Sequence, residues 1–254
     1  MIADKTIAFV GAGFMGEALI RGLITSRAAA AEHIIACDPR EGQLAALAGR
    51  YGVRVAADNA AGVAGADIVI LAVKPQALPA SVKELGRRLG RRKLVISIAA
   101  GVSVATLESL APGGARIVRA MPNIAATIGA AVTALCAGSG ARDDDIMVAR
   151  RIFDAVGETA VVEEKLMDAV TGLSGSGPAF VFLFLEALID AGVRAGLSRE
   201  TAEQLAGQTL LGAAKMARET GESPTSLRHR VTSPGGTTIA GLFALERRAA
   251  ELGS

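Results

Sequence analysis

Up to Val162 the chain alternates short runs of Val, Ile and Ala with longer Ala-rich stretches whose apolar positions recur at helical spacing. The short runs predict strands over residues 6–10, 33–37, 53–55, 67–73, 93–98 and 116–120, with two more near 130–136 and 159–162. Their interiors are continuously apolar instead of alternating, as strands covered on both faces of a parallel sheet require, and the stretches between them supply right-handed helical crossovers. Residues 1–162 are therefore expected to form one α/β domain, a Rossmann-type doubly wound sheet.

After Glu163 the pattern changes to helical segments separated by Gly and Pro, which predicts an all-α domain over residues 163–254. Pro178 suits the first turn of a helix, and the run that follows carries Phe180, Phe182, Phe184 and Leu188. Apolar residues cover nearly every side of its first two turns, so neighbours must enclose it, and a second subunit is the expected neighbour. A further helix is expected from Arg199 to Glu219, with Ser198 as N-cap and Gly221 as C-cap.

Composition narrows the class. A chain of 254 residues that is 51% hydrophobic and 20% charged fits one large domain or two modest ones and is not disordered. The net charge of +2 argues against a nucleic-acid partner, and the one basic cluster, Arg87, Arg88, Arg91, Arg92 and Lys93, reads as a solvated helix end. Cys37 and Cys136 lie in apolar runs and make no disulfide framework, which suggests a reducing compartment. The apolar block over residues 179–185 is interrupted by Glu186 and Asp190, short of the roughly 20 residues a membrane span needs. The start is not patterned as a cleaved signal, and the expected location is the cytoplasm.

The chemistry is written mainly in loops. Gly11, Ala12, Gly13, Phe14, Met15 and Gly16 follow the first strand and open a helix with Ala18, Leu19 and Leu23 on one face. In that context the glycines permit a tight turn, let backbone approach a pyrophosphate and allow close helix packing, while the helix N-terminus offers free N–H groups to phosphate. Asp38 ends the second strand about 20 residues on, where a carboxylate binds ribose hydroxyls and favours NADH; Arg40 instead suits the 2′-phosphate of NADPH, and both remain open. Ala72, Val73, Lys74 and Pro75 after the fourth strand, Ala100 and Gly101 after the fifth, and Asn123 after the sixth stand where open α/β sheets bind ligands and could wall a nicotinamide.

In the helical half, Ser174-Gly175-Ser176-Gly177-Pro178 and Ser233-Pro234-Gly235-Gly236-Thr237-Thr238 read as turns leading into helices, with amides and hydroxyls suited to a small carboxylate. His33, inside a predicted strand, and His229 do not resemble placed bases, and neither a metal motif nor a nucleophile motif stands out. Hydride transfer to an imine suits such a site, because the cofactor carries the reaction.

GAGFMGEALIRGL from Gly11, LAVKPQ from Leu71, AMPN from Ala120, GLSGSGPAF from Gly172 and SPGGTTIAGL from Ser233 resemble, in order and spacing, the pyrroline-5-carboxylate reductases. The resemblance implies reduction of L-1-pyrroline-5-carboxylate to L-proline with NADPH or NADH and no metal. It also implies helical domains that interlock two subunits, with dimers assembling into decamers in many members. It assigns Gly11 to Gly16, Asn59 and Ala72 to Pro75 to the cofactor. Ser233, Gly235, Gly236, Thr237 and Thr238, with Ser176, fall to the substrate, and Thr238 is expected to be catalytic. It also leads one to expect a longer final helix than the residues after Leu245-Glu246 provide. A hydroxyacid reductase of the same plan would place a lysine on the long helix, and residues 179–185 hold none. A nucleotide-binding regulator without turnover is the non-enzymatic alternative.

Overall fold

The computed structural model describes residues 2–111 and 114–252, with side chains described as far as residue 247. Strands β1 (Ile7–Val10), β2 (Ile34–Cys37), β3 (Arg54–Ala56), β4 (Ile68–Leu71), β5 (Leu94–Ser97), β6 (Arg116–Met121), β7 (Ala131–Ala137) and β8 (Gly157–Val161) form one sheet in the order β3-β2-β1-β4-β5-β6-β7-β8. All eight expected strands are present within a few residues. β1, β2, β4 and β5 are buried along their whole length, as their continuous apolar runs required.

The crossovers are α1 (Phe14–Thr25), α2 (Glu41–Tyr51), α3 (Asn59–Ala64), α4 (Leu78–Leu85) and α5 (Val104–Leu110), and α6 (Asp143–Phe153) links the last two strands. Ile7 and Phe9 point to one face of the sheet, where they meet Leu19, Leu23 and Phe153. Ala8 and Val10 point to the other, with Val82, Leu85 and Leu107.

The sheet is not wholly parallel. β7 runs antiparallel to β6, and β8 then pairs parallel to β7. The link from β6 to β7 holds only a 3-10 turn over Ile124–Ile128, too short for a crossover, so the chain reverses. His33 lies in a 3-10 turn before β2 instead of inside the strand, and its Nδ1 lies 2.7 Å from the Ala3 carbonyl. Lys93 is not solvated like its arginine neighbours: its ammonium donates to the carbonyls of Val63 (2.7 Å), Ala64 (3.3 Å) and Ala66 (2.5 Å), neutralising the C-terminus of α3.

Two compact units divide at Phe180/Val181, beyond the change of sequence character at Glu163, because the first residues after β8 still pack on the sheet. Met167 at the start of α7 (Met167–Val170) is fully buried with Val104, Ala134 and Cys136. The expected turn at 174–178 is absent. A π-type helical turn over Thr171–Gly175 carries α7 on towards α8 (Gly177–Arg194). The Thr171 and Ser174 hydroxyls bond the carbonyls of Met167 (2.9 Å) and Val170 (3.1 Å), so small polar residues here follow the helix instead of ending it. The helical run Glu164–Arg194 is consequently long and apolar enough to span a membrane by length and composition, which the short block at 179–185 did not suggest.

The second unit continues with α9 (Arg199–Thr220), α10 (Pro224–Arg230) and α11 (Thr237–Leu252). Ser198 caps α9 by accepting from the Thr201 amide at 3.1 Å, and left-handed Gly221 closes it, as expected. Among the described residues of this unit only Ala202 and Ala206 are buried. Phe182 and Phe184 are 59% and 44% exposed, so their own chain does not enclose them.

Candidate active site

The strand order reverses between β1 and β4, and the loop motifs that follow β1, β4, β5 and β6 lie beyond the strand ends around that switch point. After β1, Gly11 donates its N–H to the Cys37 carbonyl at 2.9 Å with φ +90°. A Cβ there would stand 2.9 Å from the backbone of Ala72 and Val73, so only glycine lets this loop lie against the end of β4. α1 begins beyond Gly13 with no side chain capping it. Its first-turn amides and the positive end of its dipole are left for an anion, and the loop therefore fits a dinucleotide pyrophosphate.

Asp38 follows β2 and is almost completely buried. Its Oδ2 accepts from the Ala12 amide (3.1 Å) and Arg40 Nη2 (3.0 Å); its Oδ1 accepts from the Arg40 amide (3.0 Å) and Arg40 Nε (2.7 Å). Burial alone would raise this carboxyl, but the bonds from Arg40 and Ala12 hold it below the ordinary aspartate value. The hydrogen bonds that Arg40 donates to Asp38, and the charge of that carboxylate, raise the Arg40 guanidinium. Gln43 at the start of α2 completes the loop by donating to the Ala12 carbonyl (2.9 Å) and to Glu17 (3.1 Å), a role that nothing in the sequence marks.

Beyond β4, the Ala72 amide bonds Val10 at 2.8 Å, while Lys74 is exposed and its carbonyl accepts from Ala77 at 2.9 Å. Ala100 and Gly101 follow β5, and Asn123 follows β6. Asn123 Oδ1 is buried with no hydrogen-bond partner among the described residues, so its acceptor capacity is unused there. Asn59 opens α3, where its Nδ2 donates to Glu84 at 3.0 Å.

Sequence reasoning also missed the support beneath this edge. The Arg119 side chain on β6 is 5% exposed and pairs with Glu164 at 2.7 Å. Glu164 also accepts from the Val104 amide (3.1 Å) and the Cys136 thiol (3.1 Å). Partial burial pushes the Glu164 carboxyl up, but these bonds and the charge of Arg119 overcome it and leave the group below its usual value. Burial pushes the thiols of Cys37 and Cys136 up to about 12.

Ser176, exposed, donates its amide to the Thr171 carbonyl at 2.8 Å in the π-type turn. In the second unit, Gly236 donates to the Ser233 carbonyl at 3.1 Å, with Pro234 and left-handed Gly235 (φ +69°) between them, the pattern of a type II turn. The turn delivers the chain into α11 at Thr237, so the amides of Thr237 and Thr238 lie in a first helical turn without intrahelical acceptors. Thr238 is half-buried, and Ser233 and Thr237 are exposed. Among the described residues no three His, Cys, Asp or Glu side chains cluster to hold a metal.

A family described as pyrroline-5-carboxylate reductase dimerisation matches residues 164–252, and one described as NADP oxidoreductase, coenzyme F420-dependent, matches residues 6–101. The pyrroline-5-carboxylate reductase of Methanosarcina acetivorans is 50% identical over 96% of this chain and 90% of its own length. The solved structure of the enzyme from Coxiella burnetii superposes with a TM-score of 0.91 at 39% identity, covering 97% of this chain and 92% of that one. The Plasmodium falciparum pyrroline carboxylate reductase, solved with NADP bound, gives 0.88 at 31% identity over 98% and 92%. Identity at this level along nearly the whole chain leaves one assignment: the chain belongs to the pyrroline-5-carboxylate reductase family.

Proposed function

We propose that this protein reduces L-1-pyrroline-5-carboxylate to L-proline with hydride from NADPH or NADH, the last step of proline biosynthesis. The observation that carries the reading is the 50% identity to a named pyrroline-5-carboxylate reductase across 96% of the chain. The uncapped start of α1, Gly11 packed on the end of β4 and the orphaned Asn123 Oδ1 support dinucleotide binding by Gly11 to Gly16, Ala72 to Pro75, Ala100, Gly101 and Asn123.

The bound nicotinamide supplies the hydride. The protein orients and holds charge: the first-turn amides of Thr237 and Thr238, delivered by the turn at Gly235 and Gly236, receive the substrate carboxylate at the positive end of α11, with Ser233 and Ser176 as further hydroxyl partners. The Thr238 hydroxyl hydrogen-bonds the ring nitrogen while the imine carbon is reduced. Fixing the two reactants in one geometry is the main source of rate in such a site.

The working unit is a homodimer formed through residues 163–254, supported by the dimerisation-family match and by Phe180, Phe182 and Phe184, which their own chain leaves uncovered. Two buried free thiols and a net charge of +2 support a cytoplasmic enzyme without a nucleic-acid partner. The test is loss of nicotinamide absorbance on mixing purified protein, pyrroline-5-carboxylate and NADPH or NADH. Turnover with proline as product is expected; a folded protein that binds nucleotide without turning over would overturn the reading.

A further inference from the structure

The acceptor capacity of Asp38 is used up inside the chain. A carboxylate offers about four lone-pair positions, and the amides of Ala12 and Arg40 with Nε and Nη2 of Arg40 fill four. An acidic residue at this place can read an unsubstituted ribose only by accepting from its hydroxyls. Here no lone pair remains for that.

Arg40 is in the opposite condition. Its side chain is 62% exposed while that of Asp38 is 6% exposed, so the pair turns its cationic half to solvent. Nε and one N–H of Nη2 are spent on Asp38; both N–H groups of Nη1 and the second of Nη2 remain, a fork that matches two oxygens of a phosphate. The fork lies beside the nucleotide loop, since a Cβ on Gly13 would stand 3.7 Å from Nη2.

We infer that Arg40 is the specificity residue for the adenosine end of the cofactor, a receptor for a 2′-phosphate, and that Asp38 is a positioning residue that aims it without touching the ribose. The inference rests on the dinucleotide reading above, and binding of adenosine fragments tests it apart from turnover.

Calorimetric titration of the full chain compares adenosine 2′,5′-bisphosphate with 5′-AMP. The bisphosphate is expected to bind roughly 10- to 100-fold more tightly, the range for charge-assisted bonds to one phosphate. Arg40→Ala should abolish that ratio while 5′-AMP binding holds or rises, because two acceptor positions on Asp38 reopen. Asp38→Asn keeps an acceptor for the Ala12 amide but cannot receive both Arg40 donors, so it should shrink the ratio several-fold with 5′-AMP affinity unchanged. Equal affinities in the wild type, or a ratio that survives Arg40→Ala, would overturn this assignment and leave the reductase reading standing. Binding of neither fragment, with NADPH also unbound, would overturn both.

Discussion

Gly175, in the π-type turn, sits directly against Met121 at the end of β6: a Cβ on the glycine would stand 2.8 Å from Met121 Cε. The close approach brings the Ser174–Pro178 segment to the sheet edge that carries Asn123. Gly175→Ala gains helix propensity but must displace the methionine tip, so the two effects oppose each other. A double-mutant cycle with Met121→Ala should separate them, with a coupling energy of about 1 kcal/mol in urea unfolding. Strict additivity would show that the contact carries no strain.

Gly11→Ala meets backbone instead of a flexible tip. It combines φ +90° with contacts of 2.9 Å to Ala72 and Val73. A cost of about 3 kcal/mol is expected, or roughly 6–12 °C in the melting temperature of the cofactor-free protein. A melt unchanged by the substitution would mean the loop relaxes freely.

Glu164→Gln leaves the buried Arg119 with only the exposed Asp168 carboxylate, 4.0 Å away, as counter-charge, at a cost of about 1–3 kcal/mol near neutral pH. Because the native carboxyl titrates below its ordinary value, its contribution is complete above the unfolded-state pKa and is lost as pH falls through the native one. The difference in urea midpoint between wild type and E164Q should therefore narrow below about pH 4. A difference independent of pH would point to packing.

Thr238→Ala should lower kcat/KM for pyrroline-5-carboxylate roughly 10- to 150-fold with nucleotide affinity intact. Unchanged efficiency in a folded protein would remove Thr238 from the chemistry.

Both thiols should resist a disulfide reagent at pH 8 in the native protein and react fully in denaturant, since burial raises Cys37 and Cys136 to about 12. Rapid native labelling of either would contradict their placement.

What was legible in the chain was what has a period or a local punctuation mark. The parallel strands announced themselves as unbroken apolar runs, and Ser198 and Gly221 bracketed α9 as caps do. The reversal at β7 was not legible, because it follows from the length of the β6–β7 link and not from the composition of either strand. Small polar residues at 174–178 look like a turn, and only the bonds from the Ser174 hydroxyl to the Val170 carbonyl and from the Ser176 amide to the Thr171 carbonyl show a helix continuing. At the site, the residue types at Gly11 to Gly16, Asp38 and Arg40 were plain, but the division of labour between Asp38 and Arg40 depends on which lone pairs are filled. Lys93, Gln43 and the Arg119–Glu164 pair act on residues distant in sequence, which no window along the chain can register.

The near absence of buried side chains in the second unit also bears on how the protein is made. The sheet-bearing unit precedes it in the chain and has its own core, so it can complete folding while synthesis continues. In the proposed homodimer the helices that follow have little to collapse onto until two chains meet, which makes the maturation of this half a second-order event, fast where chains are abundant and slow where they are scarce.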